Sequence, residues 1–128
     1  MKTMTRDALF IAFFLFIIGV ITAANRGALG NTFALVNRIP YFDKVGHFVL
    51  MGILAFLAII ALAPKIPGST KSATMKVVTV LISLIALEEA SQYFIPSRTF
   101  SPMDFFCGLT GVLFATWAAL LFIKSKES

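Results

Sequence analysis

The sequence predicts an all-α fold: a membrane bundle of four transmembrane helices with the N-terminus and the C-terminus both cytoplasmic. Composition indicates the class, four long apolar segments indicate the number of helices, and the positions of Lys and Arg indicate the orientation. Of the 128 residues, 59% are hydrophobic and 13% are charged, whereas soluble domains are about 45–50% apolar and about 25% charged. The length accommodates one small bundle, so we expect a single domain over residues 1–128.

Four apolar segments define the expected spans, at residues 8–24, 45–63, 75–95 and 103–123. Each approaches the roughly 20 residues that cross a hydrocarbon core about 30 Å thick. None repeats its apolar residues every 3.6 positions, as a surface helix of a soluble protein would. The first segment also resembles a secretory signal peptide, because Lys2 and Arg6 precede it and small residues end it. Its length, and the Arg26 that follows directly, favour a retained helix.

The orientation follows from the Lys and Arg residues near the segment ends, since these residues concentrate on the cytoplasmic side of a membrane. Seven of the 11 lie on the side of the termini and of the second loop: Lys2, Arg6, Lys65, Lys71, Lys76, Lys124 and Lys126. The other side holds Arg26, Arg38, Lys44 and Arg98. We therefore expect cytoplasmic termini, with the first and third loops on the outer face.

Polar residues gather at the outer ends of the last three segments: Asp43, Lys44 and His47, then Glu88, Glu89 and Gln92, then Arg98 and Asp104. A lipid-facing carboxylate at this depth costs about 2.5–3.5 kcal/mol, so these side chains should face the inside of the bundle. Asp43 and His47 are four residues apart and share a helical face. The spacing also predicts that, viewed down the helix axis, the amide of Gln92 lies between the carboxylates of Glu88 and Glu89.

Residue chemistry divides this group into two sets of candidates. The candidate catalytic residues are His47, Glu89 and Asp104, because an imidazole and carboxylates suit proton transfer. The candidate ligand-binding residues are Asp43, Lys44, Glu88, Gln92 and Arg98. Structural roles remain the alternative for some of them. Asp43 is also a candidate N-cap of the second helix, and Ser101, Pro102 and Asp104 form a capping signature at the start of the fourth.

Three motifs together resemble the VanZ-like family: D-K-x-x-H from Asp43 to His47, E-x-x-Q from Glu89 to Gln92, and RTFSPMD from Arg98 to Asp104. The resemblance covers the chain from about Asp43 to Gly111. It implies a small multi-pass protein of the bacterial cytoplasmic (inner) membrane, in a family that has no established activity and is named for a member linked to teicoplanin resistance. One position departs from the family pattern, because Gly108 stands where Asn is usual.

Other kinds of site have little support in the sequence. The single Cys107 excludes an internal disulfide and a cysteine metal cluster, and the single His has no second His at a metal-ligand spacing. We therefore expect no metal and no cofactor. The net charge of +5 is explained by topology, and the chain has no basic helix or zinc spacing, so no nucleic-acid partner is expected.

Three functions fit the outer polar group, and in each the expected partner is a membrane lipid or a lipid-linked envelope molecule. The first is an enzyme acting on an anionic or glycosylated lipid, with His47 or Glu89 as acid or base. Arg98 would then hold the headgroup, or would instead form an ion pair with Glu89 or Asp104. The second is a noncatalytic protein that binds such a lipid or a lipid-bearing antibiotic. The third, a proton-coupled transporter subunit, is less favoured because the ionisable residues stop short of the cytoplasmic side.

Overall fold

The computed structural model describes residues 3–36, 38, 41–96, 98 and 101–127. All regular secondary structure in these residues is helical, which confirms the predicted all-α class. The helices are α1 (Thr3–Asn25), the short α2 (Gly30–Val36), α3 (Phe42–Leu62), α4 (Thr70–Gln92) and α5 (Pro102–Glu127). A single 3-10 turn, Ala63–Lys65, follows α3. Each predicted span overlaps one of these four long helices.

Three helical segments are long and apolar enough to cross a membrane: Thr3–Asn25, Phe42–Lys65 and Pro102–Lys126. The chain is therefore a helical multi-pass membrane protein. α4 has the same length as α1 but is the least apolar of the four long helices. A crossing by α4 thus stays a prediction, as does the side on which the termini lie.

The bounds of α4 differ from those of the predicted third span, which was 75–95. α4 begins at Thr70, because the Ser69 hydroxyl accepts a hydrogen bond from the N–H of Ser72 at 3.1 Å and caps the helix. It ends at Gln92, and the N–H of Tyr93 bonds back to the Ala90 carbonyl. The polar residues at the end of α4 therefore lie in its last turns.

The long helices alternate in direction, so the bundle has two distinct ends. At the terminal end, Asp7 of α1 pairs with Lys65, and the Arg6 guanidinium lies 5.5 Å from the ring centre of Phe122 in α5. At the opposite end, which we call the motif end, Lys44 of α3 bonds Asp104 of α5. The first turn of α1 and the last turns of α5 therefore lie together, as in an up-and-down bundle.

The closest helix approach joins α3 and α5, which run in the same direction. A Cβ atom at Gly111 would lie 2.2 Å from the Phe48 carbonyl oxygen, and one at Gly52 would lie 3.3 Å from the Gly111 carbonyl oxygen. Such contact requires residues without side chains, and close packing is the main source of helix association inside a membrane. Gly108 makes a similar close approach, because a Cβ atom there would lie 3.1 Å from the Cγ atom of Met51 in α3.

The apolar core lies between α3, α4 and α5. Its fully buried residues include Ile59 and Ile60 of α3 and Val112 of α5, and α1 packs onto this core through Phe10 and Phe14. This packing fixes the rotation of each helix about its axis. It therefore also fixes which polar residues meet at the motif end.

Candidate functional site

Polar side chains from all four long helices and from the α4–α5 connection meet at the motif end. We call them the motif cluster: Asn25, Asp43, Lys44, His47, Glu88, Glu89, Gln92, Arg98, Ser101 and Asp104. It contains all eight candidate residues. Glu89, Gln92 and Asp104 are buried, so the prediction that the polar groups face inward holds for these three. The cluster consists of two networks and a link between them.

The first network joins the start of α3 to the start of α5. The Lys44 ammonium donates hydrogen bonds to Asp43 Oδ2 and to Asp104 Oδ1, each at 3.3 Å. The Nε2 atom of His47 lies 3.6 Å from Asp104 Oδ2, which is an electrostatic contact longer than a hydrogen bond. Asp104 therefore uses one oxygen for the ammonium and presents the other to the imidazole.

Asp43 does not cap α3, so that alternative is wrong. The N-cap is Tyr41, which has a φ of 62° and makes no side-chain capping bond, and Asp43 lies inside the first turn. Asp104 lies in the first turn of α5. Because α3 and α5 run in the same direction, the positive ends of both helix dipoles face this network. Each contributes about half a positive charge, which stabilises the two carboxylates.

The second network joins α1, α4 and the connection to α5. The Gln92 amide donates to both carboxylate oxygens of Glu88, at 3.0 and 2.8 Å. The Nη1 atom of Arg98 lies 3.2 Å from Glu88 Oε1 and donates to Asn25 Oδ1 at 2.7 Å. The arginine therefore ties the end of α1 to the end of α4.

These contacts identify the partners of Gln92 and Arg98. The Gln92 amide bonds the carboxylate of Glu88, which is one of the two acids between which it was predicted to lie in a view down the helix axis. Arg98 forms its ion pair with Glu88, whereas the alternative raised for it was an ion pair with Glu89 or Asp104. The reason is that adjacent helical residues point about 100° apart. Glu88 faces the α1 side of α4, whereas Glu89 faces α5.

Glu89 is the link between the networks. Its side chain is 5% exposed, and its Oε1 accepts a hydrogen bond from the backbone N–H of Ser101 at 2.9 Å. The Ser101 hydroxyl in turn accepts from the N–H of Asp104 at 3.4 Å, and α5 begins at Pro102. The capping signature is thus confirmed at Ser101 and Pro102. The carboxylate that accepts from the Ser101 N–H, however, is that of Glu89 in α4 and not that of Asp104.

One member of the cluster, Asn25, was not among the candidates. Its only signal in the sequence is its position, since it is a polar residue directly after a long apolar run that precedes Arg26. That pattern is also what an ordinary span end shows. The contact with Arg98 bridges 73 positions, so spacing along the chain carries no information about it.

Aromatic side chains surround the motif end. Tyr41, Phe42, Tyr93 and Phe94 are all exposed, and the rings of Tyr93 and Phe94 pack edge to face with centres 5.2 Å apart. Exposed Tyr at the end of a membrane bundle is typical of the interface between lipid and water. The two tyrosines therefore favour a position near headgroup level for the motif cluster, which stays a prediction.

The fold and the cluster define a helical multi-pass membrane protein with converging polar residues at one end of its bundle. Comparison with profiles of known families, with curated proteins and with solved structures gives no match. Within the described residues, no group of three or more His, Cys, Asp or Glu side chains is arranged to hold a metal ion. The functional argument therefore depends on the motifs and on the geometry of the cluster.

Proposed function

We propose that this chain is a VanZ-like protein of the bacterial cytoplasmic membrane that crosses it four times. At the outer face its motif cluster recognises the headgroup of a glycosylated envelope lipid. The observation that carries the proposal is the partial exposure of the first network at the motif end of the bundle. The side chains of Lys44, His47 and Asp43 are 29%, 33% and 42% exposed, so a ligand at the membrane surface can reach them.

The charge balance of the cluster favours a sugar headgroup over a bare anion. Four carboxylates, those of Asp43, Glu88, Glu89 and Asp104, stand against the two permanent cations Lys44 and Arg98 and against the two helix dipoles, which together add about one positive charge. An additional phosphate would meet this excess of negative charge. Sugar hydroxyls donate to carboxylates and accept from an ammonium, so they fit Asp43, Asp104 and Lys44 without adding charge.

A transfer or hydrolysis reaction on the same lipid is the second candidate function, and the proximity of His47 to Asp104 favours it. A carboxylate beside an imidazole orients it and stabilises its protonated form, and such pairs often tighten when a ligand binds. Glu89 is committed to the cap of α5. The acid–base role therefore falls to His47, with Asp104 as its partner.

A proton-coupled transporter has the least support. The buried polar side chains of the described residues are Thr74, Glu89, Gln92 and Asp104. Three of these lie at the motif end, so within this part of the chain the ionisable groups form no series across the bundle.

The proposal is tested by titrating the purified protein with a glucosyl-diacylglycerol and counting bound lipids by native mass spectrometry. Asp104→Asn and Asp43→Asn should weaken binding about tenfold or more, because each removes an ionised acceptor worth about 1.5–3 kcal/mol. Asp7→Asn changes an acid at the terminal end and is the matched control. Equal binding by all three variants, or stronger binding of phosphatidylglycerol than of the glycolipid, would contradict the proposal.

The second candidate is tested with His47→Asn. If the protein is an enzyme, this variant should retain glycolipid binding and lose turnover of the lipid, followed by mass spectrometry of the lipid products. Binding without any conversion by the unaltered protein would leave recognition as the function.

A further inference from the structure

An apolar groove lies between α3 and α5, directly beside the motif cluster. The groove has a volume of about 290 Å³ and is lined by Lys44, Val45, Phe48, Cys107 and Thr110. The Thr110 hydroxyl donates to the Phe106 carbonyl at 2.9 Å, so its polar group is satisfied within α5. Lys44 is therefore the one charged residue among those that line the groove, and the other walls are apolar.

The groove is open at the surface of the bundle and continues along it. Val45 on its rim is 58% exposed. The ring of Phe48 lies 6.1 Å from that of Phe114, which lies 5.8 Å from that of Trp117, measured between centres. Both Phe114 and Trp117 are exposed. An aromatic track thus runs from the groove toward the middle of the bundle.

The length of this surface fits one acyl chain. From Cys107 to Trp117, α5 rises about 15 Å at about 1.5 Å per residue. This is half of a hydrocarbon core about 30 Å thick, which is the depth that one leaflet occupies. A chain lying on the track would bring its headgroup to Lys44, Asp43 and Asp104.

We propose that the groove and the aromatic track hold an acyl chain of a glycosylated lipid, so the ligand is a membrane-resident glycolipid that enters sideways between α3 and α5. This inference rests on the headgroup recognition proposed above. It specifies that the ligand is a lipid, because a soluble sugar has no acyl chain to occupy the groove. Close packing against the aromatic rings, rather than exclusion from water, would hold the chain in place.

Trp117 is the only tryptophan in the chain, so its fluorescence reports on this surface. In nanodiscs, a glucosyl-diacylglycerol with brominated acyl chains should quench Trp117 more than a brominated phosphatidylcholine at the same mole fraction. Val45→Phe fills the groove and should abolish that difference and weaken binding of the glycolipid in native mass spectrometry. Val80→Phe is the matched control, since Val80 lies on α4 with the same 58% exposure and should leave both readouts unchanged.

The remaining outcomes separate the two proposals. If Asp104→Asn still weakens glycolipid binding as expected but the two brominated lipids quench Trp117 equally, the headgroup site stands and the groove is refuted. Equal effects of Val45→Phe and Val80→Phe, or binding of free methyl glucoside as tight as that of the lipid, would also refute it. If Asp104→Asn leaves glycolipid binding unchanged, both the proposed function and the proposed role of the groove are refuted. Val45 and Val80 are both exposed at the surface of the bundle, so neither substitution disturbs the core. Unchanged melting curves in detergent establish that each Phe variant is folded.

Discussion

The Oε1 atom of Glu89 accepts a hydrogen bond from the backbone N–H of Ser101, with 2.9 Å between oxygen and nitrogen. A residue of α4 is therefore part of the N-terminal cap of α5. In an ordinary capping box, the acid would be the third residue of the same helix, which here is Asp104. Because Glu89 takes that position, the Asp104 carboxylate is available to Lys44 and His47. The candidate site therefore depends on a bond between two helices.

Replacing Glu89 should loosen the start of α5. Glu89→Ala leaves the Ser101 N–H without its acceptor. The cost is about 1–3 kcal/mol for a fully buried group, and this range is an upper bound here because the bond is only partly buried. Glu89→Gln keeps an acceptor oxygen and should retain most of the stability. Melting temperatures in detergent measure both effects. Equal melting of the two variants would contradict a capping role.

Gly111→Ala should force α3 and α5 apart. The added Cβ would lie 2.2 Å from the Phe48 carbonyl oxygen, and overpacking of this kind costs about 1–3 kcal/mol. Gly46→Ala is the matched control, because a Cβ there meets nothing within 4 Å and alanine favours a helix by about 0.5–1 kcal/mol. We expect a lower melting temperature for the first and an equal or higher one for the second. The reverse order would show that a methyl group at position 111 fits between α3 and α5 without strain.

Arg98 should act mainly as a brace between α1 and α4. Its side chain is 12% exposed, forms an ion pair with Glu88 and donates a hydrogen bond to Asn25. Arg98→Ala should cost about 1.5–3 kcal/mol, which is typical of a charged hydrogen bond. Arg98→Lys should lose part of this free energy, since an ammonium lacks the planar guanidinium that can bond two acceptors at once. A double-mutant cycle with Glu88→Gln measures the coupling, which should reach at least about 0.5 kcal/mol.

The ligand-binding role of Arg98 is a separate prediction, tested in the same variants. If Arg98 holds a headgroup, Arg98→Lys should weaken glycolipid binding while melting stays close to that of the unaltered protein. Unchanged binding in both variants, together with a lower melting temperature in Arg98→Ala, would leave Arg98 a structural residue.

α4 should cross the membrane although it is the least apolar long helix. With Cys107 replaced by alanine, single cysteines at Pro67, Phe94 and Lys126 can be labelled in intact cells with a membrane-impermeant maleimide. We expect labelling at Phe94 only, since the Lys and Arg distribution places residues 67 and 126 in the cytoplasm. Labelling of Pro67→Cys together with Phe94→Cys would mean that α4 does not cross. Labelling at positions 67 and 126 but not at position 94 would mean that the motif cluster lies at the inner face.

The long helices and the gathering of polar residues could be predicted from the sequence. A span requires a continuous apolar run of sufficient length, and this is a local property of the chain. When such runs are joined by short connections, alternate helix ends must meet. Asp43 and His47, Glu88 and Glu89, and Asp104 were therefore expected at one end, where the structure places them. The seven-residue α2 was not expected, because a segment this short has no apolar run or clear period.

The pairing inside the cluster was decided only by the tertiary structure. Glu88 and Glu89 are chemically alike and adjacent, yet one holds Arg98 and the other caps α5. The choice depends on how far α4 is rotated about its axis. That rotation is fixed by contacts between helices distant in sequence, including the approach of Gly111 to Phe48 between α3 and α5. The sequence by itself thus determined which residues reach the motif end, whereas the packing of the helices determined which of them touch.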